Sequence, residues 1–226
     1  MSTSSLRFAL TAISVGAAVA LGAGSAQAAT IVWDLSNGVA APGHAVLNTQ
    51  IVSACGGCGI TVTENGFTGP IALSTGTPNT ALFLKNGGSD EIGVGLVDDP
   101  SHENELTPPN IIQINFTAAR TAGVTGFDFQ MNSSTSPDAW AVFGSNSANS
   151  LGTMVASGTD EMVHTLTGTN AAFAFYNFEA TAGNVLVASV SGVSAVPEPA
   201  TWAMMLLGFL GLGFAFRQSR RKVSFA

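Results

Sequence analysis

The fold class predicted for this 226-residue chain is all-β: a jelly-roll-like β-sandwich flanked by a targeting segment on either side. Three observations predict it. Apolar and polar residues alternate with a period of two through much of the central region, as in strands covered on one face. Short runs of this kind are separated by Gly, Pro, Asn and Asp turns. Between residues 29 and 195 no segment has the period of a helix, and there is no internal repeat.

Residues 1–28 read as a secretory signal. Arg7 supplies the positive start, an apolar stretch rich in small residues follows, and Ala26-Gln27-Ala28 matches an A-x-A cleavage site for signal peptidase. The mature chain is then expected to begin at Ala29. From there the alternating pattern sets in. Strands are expected over 31–35, over 44–54 and 59–64 on either side of a cysteine pair, and over 81–84. The clearest alternation comes next. Ile112, Ile114 and Phe116 share one face against Gln113 and Asn115, and Phe127, Phe129 and Met131 face away from Asp128, Gln130 and Asn132. Further strands are expected over 139–143, 162–166, 171–178 and 184–190, the third being apolar on both faces, as a central strand would be. Roughly eight to ten short strands at this spacing suggest the sandwich.

Charge is scarce and segregated. Only 9% of residues are charged, against ~25% in soluble globular proteins. Of seven basic residues, Arg7 lies in the signal and Arg217, Arg220, Arg221 and Lys222 lie at the end, which leaves Lys85 and Arg120 for the body. Two cations against thirteen acids give the body a net −11. Such a surface offers nothing to neutralise phosphates, which excludes nucleic acid as a partner.

Within the body, Cys55-Gly56-Gly57-Cys58 is the sole cysteine pair. In an exported chain it suggests a disulfide at a loop tip, with glycines allowing the tight turn. A redox pair would be expected at a helix start, and a metal centre would need two further ligands. The stretch 90–105 gathers Asp90, Glu91, Asp98, Asp99, Glu103 and Glu105, with His102 among them. Crowded carboxylates repel, and calcium bound through oxygen ligands would relieve that repulsion, although no EF-hand spacing is present. A solvated acidic loop accounts for the same pattern without an ion. His44, His102 and His164 are far apart, and no nucleophile elbow, metalloprotease helix or phosphate loop occurs, so the chain is not expected to be an enzyme. Trp33, Trp140 and Tyr176 could stack on sugar rings, but at strand positions they fit a core.

The end of the chain is of another kind. Pro197-Glu198-Pro199 precedes sixteen uncharged residues, 201–216, expected as a transmembrane sorting helix; at about 24 Å it falls slightly short of the usual ~20-residue span and would cross with some local adjustment at its ends. Arg217, Arg220, Arg221 and Lys222 follow, a cluster that would keep the C-terminus cytoplasmic and place the body outside. The segment 196–226 is therefore set apart from the body at 29–195.

This end resembles the PEP-CTERM sorting signal. The likeness rests on Val196-Pro197-Glu198-Pro199, Thr201-Trp202-Ala203-Met204-Met205, the Gly/Leu/Phe run to Phe216 and the Arg/Lys cluster, which departs from the family in being broken by Gln218 and Ser219. It implies a Gram-negative bacterium making exopolysaccharide, and export through the inner membrane. It implies too that an exosortase recognises the tail and cleaves near Pro197-Glu198-Pro199, with release to the cell surface or extracellular matrix. The body is similar to an extracellular domain common among such proteins, through Gly93-Val94-Gly95-Leu96 and the later Asn104-Glu105-Leu106. The function expected from the whole is that of an exosortase-processed surface or matrix protein associated with exopolysaccharide. A calcium-dependent carbohydrate-binding module is the alternative, and a secreted polysaccharide hydrolase a more distant one.

Overall fold

The computed structural model describes residues 29–35, 43–86, 91–97, 103–132, 138–194 and 199–220. Ala28–Val196 form one compact unit. Its strands are β1 (Ala29–Trp33), β2 (Gly43–Val46), β3 (Gln50–Ala54), β4 (Thr61–Phe67), β5 (Leu82–Asn86), β6 (Ile92–Leu96), β7 (Ile111–Asn115), β8 (Val124–Asn132), β9 (Ala139–Ser145), β10 (Thr153–Gly158), β11 (Val163–Leu166), β12 (Phe175–Ala182) and β13 (Leu186–Ser194). They form two antiparallel sheets. One runs β11-β8-β13-β6-β5-β2, with β1 also paired to β13; the other runs β10-β9-β12-β7-β4-β3.

The alternation seen in the sequence now has a spatial meaning. Ile112, Ile114 and Phe116 from one sheet and Phe127, Phe129 and Met131 from the other enter a single core. Rings lock the two sheets together. Phe116 stacks on Phe127 at 4.8 Å, and Trp33 and Tyr176 meet Phe116 edge-on at 5.4 and 5.5 Å. A second group joins Phe129 to Trp140 and Phe178 at 5.5 and 5.6 Å. Trp33, Trp140 and Tyr176 are at most 2% exposed, so they are core side chains and present no platform for sugars.

Three details depart from expectation. The stretch expected over 44–54 is two strands, because Leu47–Thr49 carry the chain from one sheet to the other between β2 and β3. Strands β6 and β10 were hidden by their Gly, Ser and Thr content, which blurs the period. Short helices also occur where none was expected: α1 (Pro70–Thr75), α2 (Thr117–Thr121) and a 3-10 turn at Gly168–Ala171, which takes the start of the strand expected over 171–178. Each is too brief to establish a helical period. α1 announces itself only by its ends, Pro70 at its first turn and Gly76 in the left-handed conformation after its last.

α1 packs Leu73 against Phe67 and Ile111 on the outer face of the six-stranded sheet. Beside it, Gln113 and Asn177 are buried there as a satisfied pair. The Gln113 amide donates to Asn177 Oδ1 at 2.9 Å, and Asn177 donates to the carbonyls of Ser150 and Leu151. The loop before β10 is thereby fastened across the sheet.

Outside this unit lies α3 (Pro199–Arg220), described by itself. It coincides with the apolar run, and the described side chains from Met204 to Phe214 are exposed. Among the described residues, no helix is long and apolar enough to cross a membrane. The expectation of a transmembrane helix therefore does not carry over. The uncharged stretch of about 24 Å is less than the ~30 Å hydrocarbon core, and Arg217 ends it.

Candidate functional site

Two carboxylates of the acidic stretch, Glu91 and Glu105, meet a lysine. Lys85 lies on β5, on the outer face of its sheet and opposite Gly93 of β6. The chain from Glu103 to Leu106 crosses that face over Gly95, where an added Cβ would run into the Asn104 carbonyl and the Glu105 backbone. Gly93-Val94-Gly95-Leu96 thus clears backbone room on one face while Val94 and Leu96 fill the core. Lys85 Nζ donates to Glu105 Oε1 at 2.7 Å and lies 3.4 Å from Glu91 Oε2. Both Lys85 and Glu105 are buried. Leu106 drops into the core and its N–H donates to the Val185 carbonyl at 2.8 Å. Burial disfavours the Lys85 ammonium, but the hydrogen bond to Glu105 and the fields of Glu105 and Glu91 outweigh it, so its pKa is raised.

This arrangement bears on the cation expected among the acids. An ammonium already stands where a metal would relieve the repulsion between Glu91 and Glu105. Glu103 is directed elsewhere, its Oε2 accepting from Asn184 Nδ2 at 2.8 Å. No group of three or more His, Cys, Asp and Glu side chains that could hold a metal occurs among the described residues. Asp90, Asp98, Asp99 and His102 lie outside them.

The other expected residues are dispersed. Cys55 and Cys58 stand at disulfide distance, with Cα atoms 5.6 Å apart, at the tip of the β3–β4 hairpin. Gly57, at φ 85°, makes the turn between them. His44 and His164 sit on β2 and β11, opposite edges of the seven-stranded sheet. His164 stacks on Phe129 at 5.5 Å and meets Asp160 at 2.7 Å; its hydrogen bond and that of the Met162 N–H hold the Asp160 carboxyl below its usual range.

One buried group escaped sequence reasoning. Glu64 on β4 points into the core beside Val62, only 1% exposed. Ser53 Oγ donates to its Oε1 at 2.5 Å, and its Oε2 is buried with no hydrogen-bond partner among the described residues. Burial pushes its pKa up to about 8; the Ser53 hydrogen bond opposes this and the Asp34 carboxylate adds to it. The signal was available in Val62-Thr63-Glu64, since strand alternation puts Glu64 on the face of Val62.

Beyond β13 the chain changes character within a few residues. Residues 195–198, including Pro197 and Glu198, lie outside the described residues, as do Arg221 and Lys222; Pro199 opens α3, and Arg217 is exposed near its end. The family model for the PEP-CTERM protein-sorting motif matches residues 195–222. The chain carries a PEP-CTERM sorting motif. The match begins at the residue that follows the end of β13. Neither the comparison with curated proteins nor that with solved structures gives a match.

Proposed function

We propose that this chain is an exported protein whose working part is the acidic β body, delivered to the cell surface or extracellular matrix by exosortase processing of its tail. The carrying observation is the PEP-CTERM motif placed directly after the last strand of a self-contained body. The motif implies export, sorting to the cell envelope and exosortase as the processing partner. In this reading signal peptidase removes residues 1–28, α3 engages the inner membrane transiently, and cleavage near Pro197-Glu198-Pro199 frees the body. The body acts by contact and not by catalysis, as a structural or binding component alongside exopolysaccharide. Its dispersed histidines and the internal neutralisation of Glu105 by Lys85 support this. A jelly-roll-like winding is supported by the way successive strands pass from sheet to sheet.

Replacing Glu198 or both prolines tests the sorting step. The expected result is a precursor held at the membrane, with the mature body missing from medium and matrix. Unchanged release, with the same termini by mass spectrometry, would overturn the reading.

A further inference from the structure

Among the described strands, the last strand of the body alone pairs with β8, β6 and β1. In the order β11-β8-β13-β6-β5-β2, β13 stands between β8 and β6, and β1 pairs with β13 as well. Its pairing with β8 runs from Leu186↔Asn132 to Ser194↔Val124. On its other side Val187 faces Val94 of β6, and further along the residues from Val190↔Trp33 to Ser194↔Ala29 hold β1. Without β13 this sheet would be three pieces: β8 with β11, the set β6-β5-β2, and β1 unpaired within the sheet. The core would open too. Val187 and Val190 are fully buried, and Gly192 lies beneath Trp33, whose Cη2 would sit 2.6 Å from any Cβ placed there.

These contacts are also the most distant in sequence that the body makes: Ala29 opposite Ser194 pairs its first described residue with the last of its strands. A fold dominated by such contacts gains little until both ends of the chain are present, because loop closure must precede the contacts that compensate for it. Resting on the export proposed above, we propose that β13 is the closing strand of the fold, and that its position at the C-terminal end keeps the body unfolded, and so able to be threaded across the membrane, until its final segment has been made and delivered. Order of synthesis then acts as a timing device. The seven-stranded sheet cannot assemble before residues 186–194 arrive.

Two arms test this. In the first, chains beginning at Ala29 and ending at Ser194 or at Asn184 are compared by proteolysis. The longer comprises nearly all of the compact unit with its own core. The chain ending at Asn184 is expected to be cut at least about 10³-fold faster, since cleavage follows the population of the open form. Comparable resistance of the two chains would overturn the proposal. The second arm uses the adjacency of Ala29 and Ser194. A short linker joins them, and new ends are opened in the β10–β11 connection, so that β13 and β1 are made early as a hairpin and the edge strand β10 comes last. Behind the same signal and tail, and with matched melting temperature, this permutant is expected to be exported several-fold less than the native order, its retained fraction protease-resistant. Equal export of both would overturn the proposal. Failure of the native order itself to leave the cytoplasm would overturn the export reading, and with it this use of β13, whatever the truncations show.

Discussion

Substituting Glu64→Gln isolates the energetic cost of a carboxyl placed in the core. The folded protein holds the Glu64 proton up to about pH 8, against an ordinary value of 4.5. Below pH 4.5 the group is protonated in folded and unfolded chains alike, and the folded state bears no ionisation cost. Between the two values the unfolded chain releases its proton and the folded chain keeps it, so stability falls as pH rises. At about 1.4 kcal/mol per pH unit, the loss reaches about 5 kcal/mol by the upper end of that window. Glutamine keeps the shape and an oxygen to accept from Ser53 Oγ, but it cannot ionise. Its amide nitrogen gains no partner at the position of Oε2, at a cost of about 1–3 kcal/mol that does not vary with pH. The test is therefore the slope. Urea unfolding of both proteins from pH 4 to 9 should give a stability difference that moves toward the glutamine variant by about 1.4 kcal/mol per pH unit between pH 5.5 and 7.5. Parallel profiles would refute the placement of Glu64 in the core.

Other perturbations probe the remaining features. Lys85→Met leaves Glu105 buried without its counter-ion and should destabilise the body by about 3–5 kcal/mol, whereas Lys85→Met with Glu105→Gln should recover most of that loss in the same unfolding assay. Gly95→Val is expected to lower stability by about 1–3 kcal/mol by pushing the Glu103–Leu106 crossing off β6, visible as faster amide exchange at Leu106 and Val185. Millimolar calcium is expected to leave the melting temperature unchanged, since Lys85 already neutralises Glu105; a rise of several degrees would show that the acidic stretch takes up the ion.

The fold class was legible because strand alternation records which face points to the core, and Ile112 to Phe116 and Phe127 to Met131 keep that alternation, although Gln113 is buried on the outer face as well. Glycine and small polar residues carry no such record. β6 was therefore opaque, though its two glycines make sense once Asn104 and Glu105 lie across Gly95 and the Val187 carbonyl stands against Gly93. The acidic stretch was legible as charge but not as structure. Six carboxylates in one stretch suggest an external cation, whereas the cation that meets Glu91 and Glu105 is Lys85, which lies just before the stretch and twenty residues from Glu105. Glu64 shows the opposite failure: its face could be inferred from Val62, but the depth of the core there depends on Ser53 and Asp34, which sequence order does not bring together. The tail was legible throughout because its signal is local, a contiguous run that names its own processing partner.

The ion pair at Lys85 has a chemical consequence for the finished protein. The whole chain contains two lysines, and Lys222 belongs to the segment that processing would discard. If processing runs as proposed above, with Lys85 buried against Glu105, the body would offer amine-directed chemistry a single target, the α-amino group at Ala29. Amine-reactive dyes, aldehyde fixatives and bis-ester cross-linkers would attach at one place. Any partner they capture would be one next to the paired start of β1 and end of β13.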